Sequence, residues 1–243
     1  MRLRVFVFTV GEKVTFETLE SIKQFTNHPY ELTVWYDACG RGVDAYFLGR
    51  LGEHTNDIVV VRQNKGVSAA LGFATLSLDF DYLIIAAADM IMLPGYVDRL
   101  LAPFNELENV AVTGEGWRYL NGGMSVSDFD IGIDGVVMVS KKAINAIGSV
   151  SPSFNGRGPM HTEWFRRFAS NGFKYVTLDG LCLHGGSQHE GRDMIPDWRK
   201  ELHQDNLVYL HADKLGYRGY PWWSNDIRKE GPCLEPKQLQ QTA

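Results

Sequence analysis

Over its first hundred residues this chain alternates short runs that are apolar on both faces with stretches whose apolar residues recur at helical spacing, and that alternation constrains its fold more than any other feature. Residues 5–10 form a β-branched and aromatic run that stops at Gly11, and 15–25 then place Phe16, Leu19, Ile22 and Phe25 at i, i+3, i+6 and i+9. The pattern repeats, with strands expected at 32–36, 58–62 and 82–88 and helices at 43–51 and 68–78. A strand without a polar face must be covered on both sides, and strands joined through helices run parallel. The expected fold is therefore α/β: a mostly parallel central sheet with helices on both faces.

Beyond Pro94 the spacing predicts a helix at 95–104, an apolar strand at 110–113 and then a Gly-, Ser- and Asp-rich stretch from 114 to 135. A strand at 135–139, helices at 141–147 and 163–171, and a strand at 174–178 follow, with a further helix expected at 198–216. With 243 residues the chain suffices for one α/β domain, taken as 1–230, with a first half 1–113 and a loop-rich second half 114–230. The Gln-rich end, 231–243, is expected to be poorly ordered. A formal net charge of -5 gives no global attraction to nucleic acid, so no nucleic-acid partner is expected. The apolar runs fall far short of the roughly 20 residues that span a bilayer, so no membrane span is expected. Cys39, Cys182 and Cys233 show no C-x-x-C pairing, which argues against a disulfide framework or a structural zinc and suits a reducing cytoplasm.

In open parallel sheets ligands bind outside the carboxyl ends of the strands. Here those ends carry Thr9-Val10-Gly11-Glu12, Asp37-Ala38-Cys39-Gly40, Arg62-Gln63-Asn64-Lys65-Gly66 and Asp89-Met90. Any one of these could be an ordinary turn or helix cap, so the inference of a site rests on all four together. No G-x-G-x-x-G follows the first strand, and no P-loop or G-x-S-x-G elbow occurs anywhere. A dinucleotide fingerprint, a Walker-type phosphate loop and the usual acyl-transfer nucleophile are thereby absent.

In order and spacing, these residues resemble the GT-A fold glycosyltransferases, specifically the inverting family 2 group, over about residues 5–187. The resemblance is carried by Asp37 closing the second strand, by Asn64-x-Gly66 before Ser68-Ala69-Ala70-Leu71-Gly72, and by an apolar strand ending in Asp89 with Leu93-Pro94-Gly95-Tyr96 after it. Met160-His161-Thr162-Glu163-Trp164 opening a late helix, and a strand ending in His184, complete it. It implies a GT-A, Rossmann-like sheet whose half 1–113 binds a nucleotide sugar and whose half 114–230 binds the acceptor and supplies a lid. The implied reaction moves a sugar from a UDP- or GDP-sugar to a glycan or other hydroxyl acceptor, with inversion, helped by Mn2+ or Mg2+.

The same resemblance implies Asp89 and His184 as metal ligands, with Asp89 at the last acid of a D-x-D motif that here reads Ala87-Ala88-Asp89. Thr9, Gly11, Asp37, Arg62, Asn64, Gly66 and Ala88 are the implied nucleotide-binding positions. An inverting transfer needs one group to take the acceptor hydroxyl's proton. The family places an acidic pair where this sequence has Met160-His161, so His161 and Glu163 are the catalytic candidates, with Asp128, Asp130 and Asp134 as alternatives. Trp117, Trp164, Trp198, Trp222 and Trp223, with Tyr217 and Tyr220, could serve as sugar platforms or as core. Two rival readings are a nucleotidyltransferase acting on sugar phosphates and a catalytically silent domain that keeps the fold to bind sugar nucleotide or glycan.

Overall fold

A computed structural model describes residues 1–38, 42–62, 66–116, 125–127, 133–150, 160–178 and 180–184, with the backbone alone at 116, 125–127, 133–134, 160–162 and 184. Its strands are β1 (Leu3–Thr9), β2 (Tyr30–Asp37), β3 (Asp57–Val61), β4 (Tyr82–Ala87), β5 (Met90–Met92), β6 (Val110–Gly116), β7 (Ser125–Ser127), β8 (Ile133–Ser140), β9 (Lys174–Leu178) and β10 (Cys182–His184). The helices are α1 (Thr15–Phe25), α2 (Ala45–Leu51), α3 (Gly66–Ser77), α4 (Tyr96–Glu106), α5 (Lys141–Ile147) and α6 (Met160–Ser170).

The two-sided apolar runs divide as their period of two requires. Val5 and Val7 of β1, Ile84 and Ala86 of β4, and Val136 and Met138 of β8 enter one core with Leu19 and Ile22 of α1, Phe47 and Leu51 of α2, and Val97 and Leu100 of α4. Phe6, Leu83, Ile85, Val137 and Val139 enter the other, with Ala70, Leu71 and Ala74 of α3, Ile144 and Ile147 of α5, and Trp164 and Phe168 of α6. Helices thus cover both faces of an eight-stranded sheet of order β3-β2-β1-β4-β8-β6-β9-β7.

β1 to β4 pair in parallel, and β6 and β9 continue in the same direction. β8 runs against both β4 and β6, and β7 against β9. A second sheet joins β5 to β10, antiparallel. The carboxyl ends of β1, β2, β3, β4, β6 and β9 therefore share one edge, and the small sheet adjoins it.

Element ends differ from the sequence reading for local reasons. α2 starts at Ala45 and not at 43, because the Asp44 carboxylate accepts from the N–H groups of Tyr46 and Phe47 at 2.9 and 3.0 Å and caps the helix there. α5 spans its expected residues behind an equivalent cap, Ser140 Oγ accepting from Ala143 N at 3.2 Å. α6 opens three residues earlier than expected, so Met160 and His161 stand inside its first turn. The expected helix at 198–216 and the tail at 231–243 lie outside the described residues. Among the described residues no helix is long and apolar enough to cross a membrane.

Candidate active site at the carboxyl edge of the sheet

The loop after β1 is tied by its own side chains. Thr9 is buried, and its hydroxyl donates to Glu12 Oε2 at 2.6 Å while accepting from Gly11 N at 2.9 Å. The Glu12 carboxylate also accepts from Val10 N at 2.9 Å. Gly11 sits at φ +99°, and a Cβ there would come within 3.3 Å of Tyr36 Cε2, so this tight bend requires glycine. Burial pushes the Glu12 carboxyl above its ordinary value; the bonds from Thr9 and Val10 oppose the rise, and the nearby Asp89 charge adds to it.

Asp37 closes β2 at only 3% exposure, and its Oδ2 accepts from Gly66 N at 3.1 Å. That bond joins the end of β2 to the first N–H of α3, where a carboxylate is favoured by the unpaired donors of the helix start. Two residues that the sequence reading separated by a strand are thus in direct contact. Gly66 itself adopts φ +74° at this corner. Arg62 follows β3 on the exposed edge, whereas Asn64 lies outside the described residues.

Ala88 and Asp89 form the turn between β4 and β5. Ala88 is buried, and its carbonyl accepts from Thr18 Oγ1 of α1 at 2.6 Å; Met92 N, on the far side of the turn, donates to Ser21 Oγ at 2.9 Å. In the small sheet His184 is paired with Met90, the residue after Asp89. The two expected metal ligands, 95 positions apart in sequence, are therefore brought to adjacent places by backbone pairing. The loop leading into β10 is held by Glu115, whose two carboxylate oxygens accept from Gly180 N at 2.9 Å and Leu181 N at 2.6 Å, and by Arg99, which donates to Gly180 O at 2.7 Å. Cys182 lies against Met90, its Sγ 3.7 Å from Met90 Sδ, and burial, with the charge of Glu115, pushes its thiol up to about 12.

Glu163 belongs to a different environment. It is 1% exposed, and its carboxylate meets the Arg167 guanidinium one turn on, at 2.5 Å to Nε and 3.1 Å to Nη2. Arg167 also donates to Ile147 O at 3.1 Å and Ser149 O at 2.7 Å, and Trp164 Nε1 donates to Gly148 O at 2.9 Å. α6 is thereby fastened to the end of α5, and Trp164 is a core residue. His161 stands two residues before Glu163 in the same helix, and Asp134 falls in β8; Asp128 and Asp130 lie outside the described residues, as do Trp117, Trp198, Tyr217, Tyr220, Trp222 and Trp223. Among the described residues no group of three or more His, Cys, Asp and Glu side chains gathers to hold an ion.

Sequence reasoning passed over Thr18, Ser21 and Glu115, and gave Glu12 no role. The signal available for the first two was a helix that sets hydroxyls beside an apolar stripe, an arrangement that is costly unless each hydroxyl finds a partner.

No protein-family model matches this sequence, nor does any curated protein. Among solved structures, the chain is similar to the mannosyltransferase PcManGT from Pyrobaculum calidifontis, determined with GDP-Man and Mn2+, at TM-score 0.65 and 15% identity over 88% of this chain and 64% of that one. It is similar to glucosyl-3-phosphoglycerate synthase from Mycobacterium tuberculosis, determined with Mn2+, UDP and glucosyl-3-phosphoglycerate, at TM-score 0.60 and 16% identity, covering 88% of this chain and 80% of that one. GalNAc-T7, with UDP, GalNAc and Mn2+, matches at TM-score 0.60 and 12% identity over 74% of this chain. The chain spans 64% of the mannosyltransferase and 42% of GalNAc-T7. These similarities show the GT-A fold.

Proposed function

We propose that the protein is a nucleotide-sugar-dependent glycosyltransferase, moving a sugar from a UDP- or GDP-sugar to a hydroxyl acceptor with inversion and with the help of Mn2+ or Mg2+. The observation that supports the reading is the β5–β10 pairing, which puts the backbone of His184 opposite Met90, the residue after Asp89, on the edge where Asp37 meets the start of α3. A carboxylate and an imidazole are donors that Mn2+ accepts, and a half-buried turn aspartate suits an ion whose remaining ligands are substrate oxygens and water. Asp89 and His184 would hold the cation, which when bound neutralises the charge on a departing diphosphate.

The chain's own residues supply the rest. Asp37 offers a carboxylate to the N–H of a base or to ribose hydroxyls, pre-set by its bond to Gly66 N. The Gly11 bend, where a Cβ would press on the Tyr36 ring, keeps side-chain bulk out of this corner. On α6 the proton acceptor falls to His161 in preference to Glu163, because the Glu163 carboxylate is occupied by Arg167. The mannosyltransferase and synthase to which the chain is similar, with their bound GDP-Man or UDP and Mn2+, support this choice of donor and metal.

The test is calorimetric titration of UDP and of GDP, with and without Mn2+, into the wild type, Asp37→Asn and Asp89→Asn. Wild type should bind one nucleotide more tightly with Mn2+; Asp89→Asn should lose that increment alone, and Asp37→Asn should bind weakly in both conditions. No gain from Mn2+ in wild type, or a gain kept in Asp89→Asn, would overturn the reading. Nucleotide binding without any turnover of UDP- or GDP-sugars would favour the silent sugar-nucleotide-binding alternative.

A further inference from the structure

We infer that Thr18 and Ser21 of α1 are positioning residues that fix the Asp89 turn and so set its affinity for a divalent cation; this rests on the metal-ligand reading of Asp89 above. Both residues are buried, Thr18 at 0% and Ser21 at 5% exposure, on a helix whose neighbouring Leu19 and Ile22 pack into the core. A buried hydroxyl in a helix usually bonds a carbonyl of its own preceding turn, as Thr75 does to Leu71 O at 2.8 Å. Thr18 instead donates across 70 positions to Ala88 O, and Ser21, which donates locally to Thr18 O at 2.7 Å, uses its lone pair to accept from Met92 N. The two bonds bracket Asp89, one on the residue before it and one three residues after.

The bracketing matters because it holds both ends of the turn to α1, while Glu115 holds the loop into β10 and Met90 and Met92 pack into the core beyond it. β4 ends at Ala87, and β5 is a three-residue strand paired with the three residues of β10. A two-stranded sheet of that length is not stable on its own. Where α1 holds the two ends of the turn thus helps to fix the backbone that carries Asp89. α1 reaches the neighbouring loop by the same means, since Thr15 Oγ1 lies 2.9 Å from Thr9 Oγ1. Outer residues that orient a metal ligand typically alter affinity by about 10–100-fold when removed.

The experiment measures Mn2+ binding to the free protein by electron paramagnetic resonance of unbound Mn2+, in wild type, Asp89→Asn, Thr18→Val, Thr18→Ser and Ser21→Ala, alongside metal-free binding of whichever of UDP and GDP the wild type takes. Thr18→Val keeps the shape of the side chain and removes its hydroxyl; it should weaken Mn2+ binding at least about tenfold and leave metal-free nucleotide affinity unchanged. Thr18→Ser, which restores the donor, should return within about twofold of wild type. If Asp89→Asn abolishes Mn2+ binding while Thr18→Val binds like wild type, the inference is wrong and the metal-ligand reading stands. If Asp89→Asn itself binds like wild type, the reading fails and takes the inference with it. Should Thr18→Val not fold, Ser21→Ala carries the same readout, and unaltered Mn2+ affinity there overturns the proposal. A lowered thermal midpoint with wild-type Mn2+ affinity would mark the hydroxyls as merely structural and would also overturn it.

Discussion

Replacing Glu163 separates a structural carboxylate from a catalytic one. Glu163 and Arg167 are 1% and 5% exposed, and they form a buried ion pair with contacts at 2.5 and 3.1 Å, the second a hydrogen bond from Arg167 Nη2. Removing one partner of a buried pair strands the other charge and costs about 3–5 kcal/mol. In Glu163→Gln the guanidinium still donates to Ile147 O and Ser149 O, and the amide keeps one acceptor, so the loss should fall at the low end, about 3 kcal/mol. Arg167→Met strands the carboxylate and also strips both carbonyls of their donor, each orphan adding about 1–3 kcal/mol, so its total should be at least about 5 kcal/mol. For a domain of this size these losses correspond to about 6–12 °C and at least about 10–20 °C in the unfolding midpoint. Circular dichroism melts give the midpoints, and turnover is read well below all of them. There Glu163→Gln should retain wild-type turnover within about threefold, whereas loss of a general base costs about 10²–10⁴. A fall of that size with a midpoint within about 2 °C of wild type would refute the structural assignment and make Glu163 the base.

Glu12 should impose a pH-dependent penalty. Its folded-state pKa is raised, chiefly by burial, so its contribution is fully present below the ordinary value of 4.5 and is lost as pH rises through the folded value. Glu12→Gln keeps an acceptor for Val10 N, and its midpoint should gain on wild type as pH rises above the ordinary value of 4.5 and then level off once the folded value is passed; a difference that does not change with pH above 4.5 would contradict the burial argument. Gly135→Ala should cost about 1–3 kcal/mol, because φ is +108° and the added Cβ would stand 3.1 Å from Met90 Sδ and 3.3 Å from Cys182 Sγ. An unchanged midpoint in a thermal melt would show that this corner of β8 yields freely.

The sequence made some of this legible because certain constraints are local. A strand apolar on both faces leaves one architecture open to it, and β1 to β4 with α1 to α3 followed from that alone. Asp89 was visible at a strand end, but it and His184 could be named as metal ligands only through a resemblance, because the pairing that brings their segments together spans two three-residue strands too short to carry a period of their own. The position of β8, wedged antiparallel between β4 and β6, was equally hidden, since its run Val136–Val139 is apolar on both faces and such a pattern fixes burial without fixing direction. Glu163 shows the opposite failure. At a helix start a carboxylate is favoured whatever its role, and its spacing of four from Arg167 reads as an exposed pair until burial is known. The hydroxyls of α1 fall between these cases: Thr18 and Ser21 are visible beside Leu19 and Ile22, yet only tertiary structure reveals that their partners are the two ends of the Asp89 turn. What a sequence conceals at such a site is the partner that makes a buried polar atom affordable, and at this sheet edge those partners decide where the charge stands.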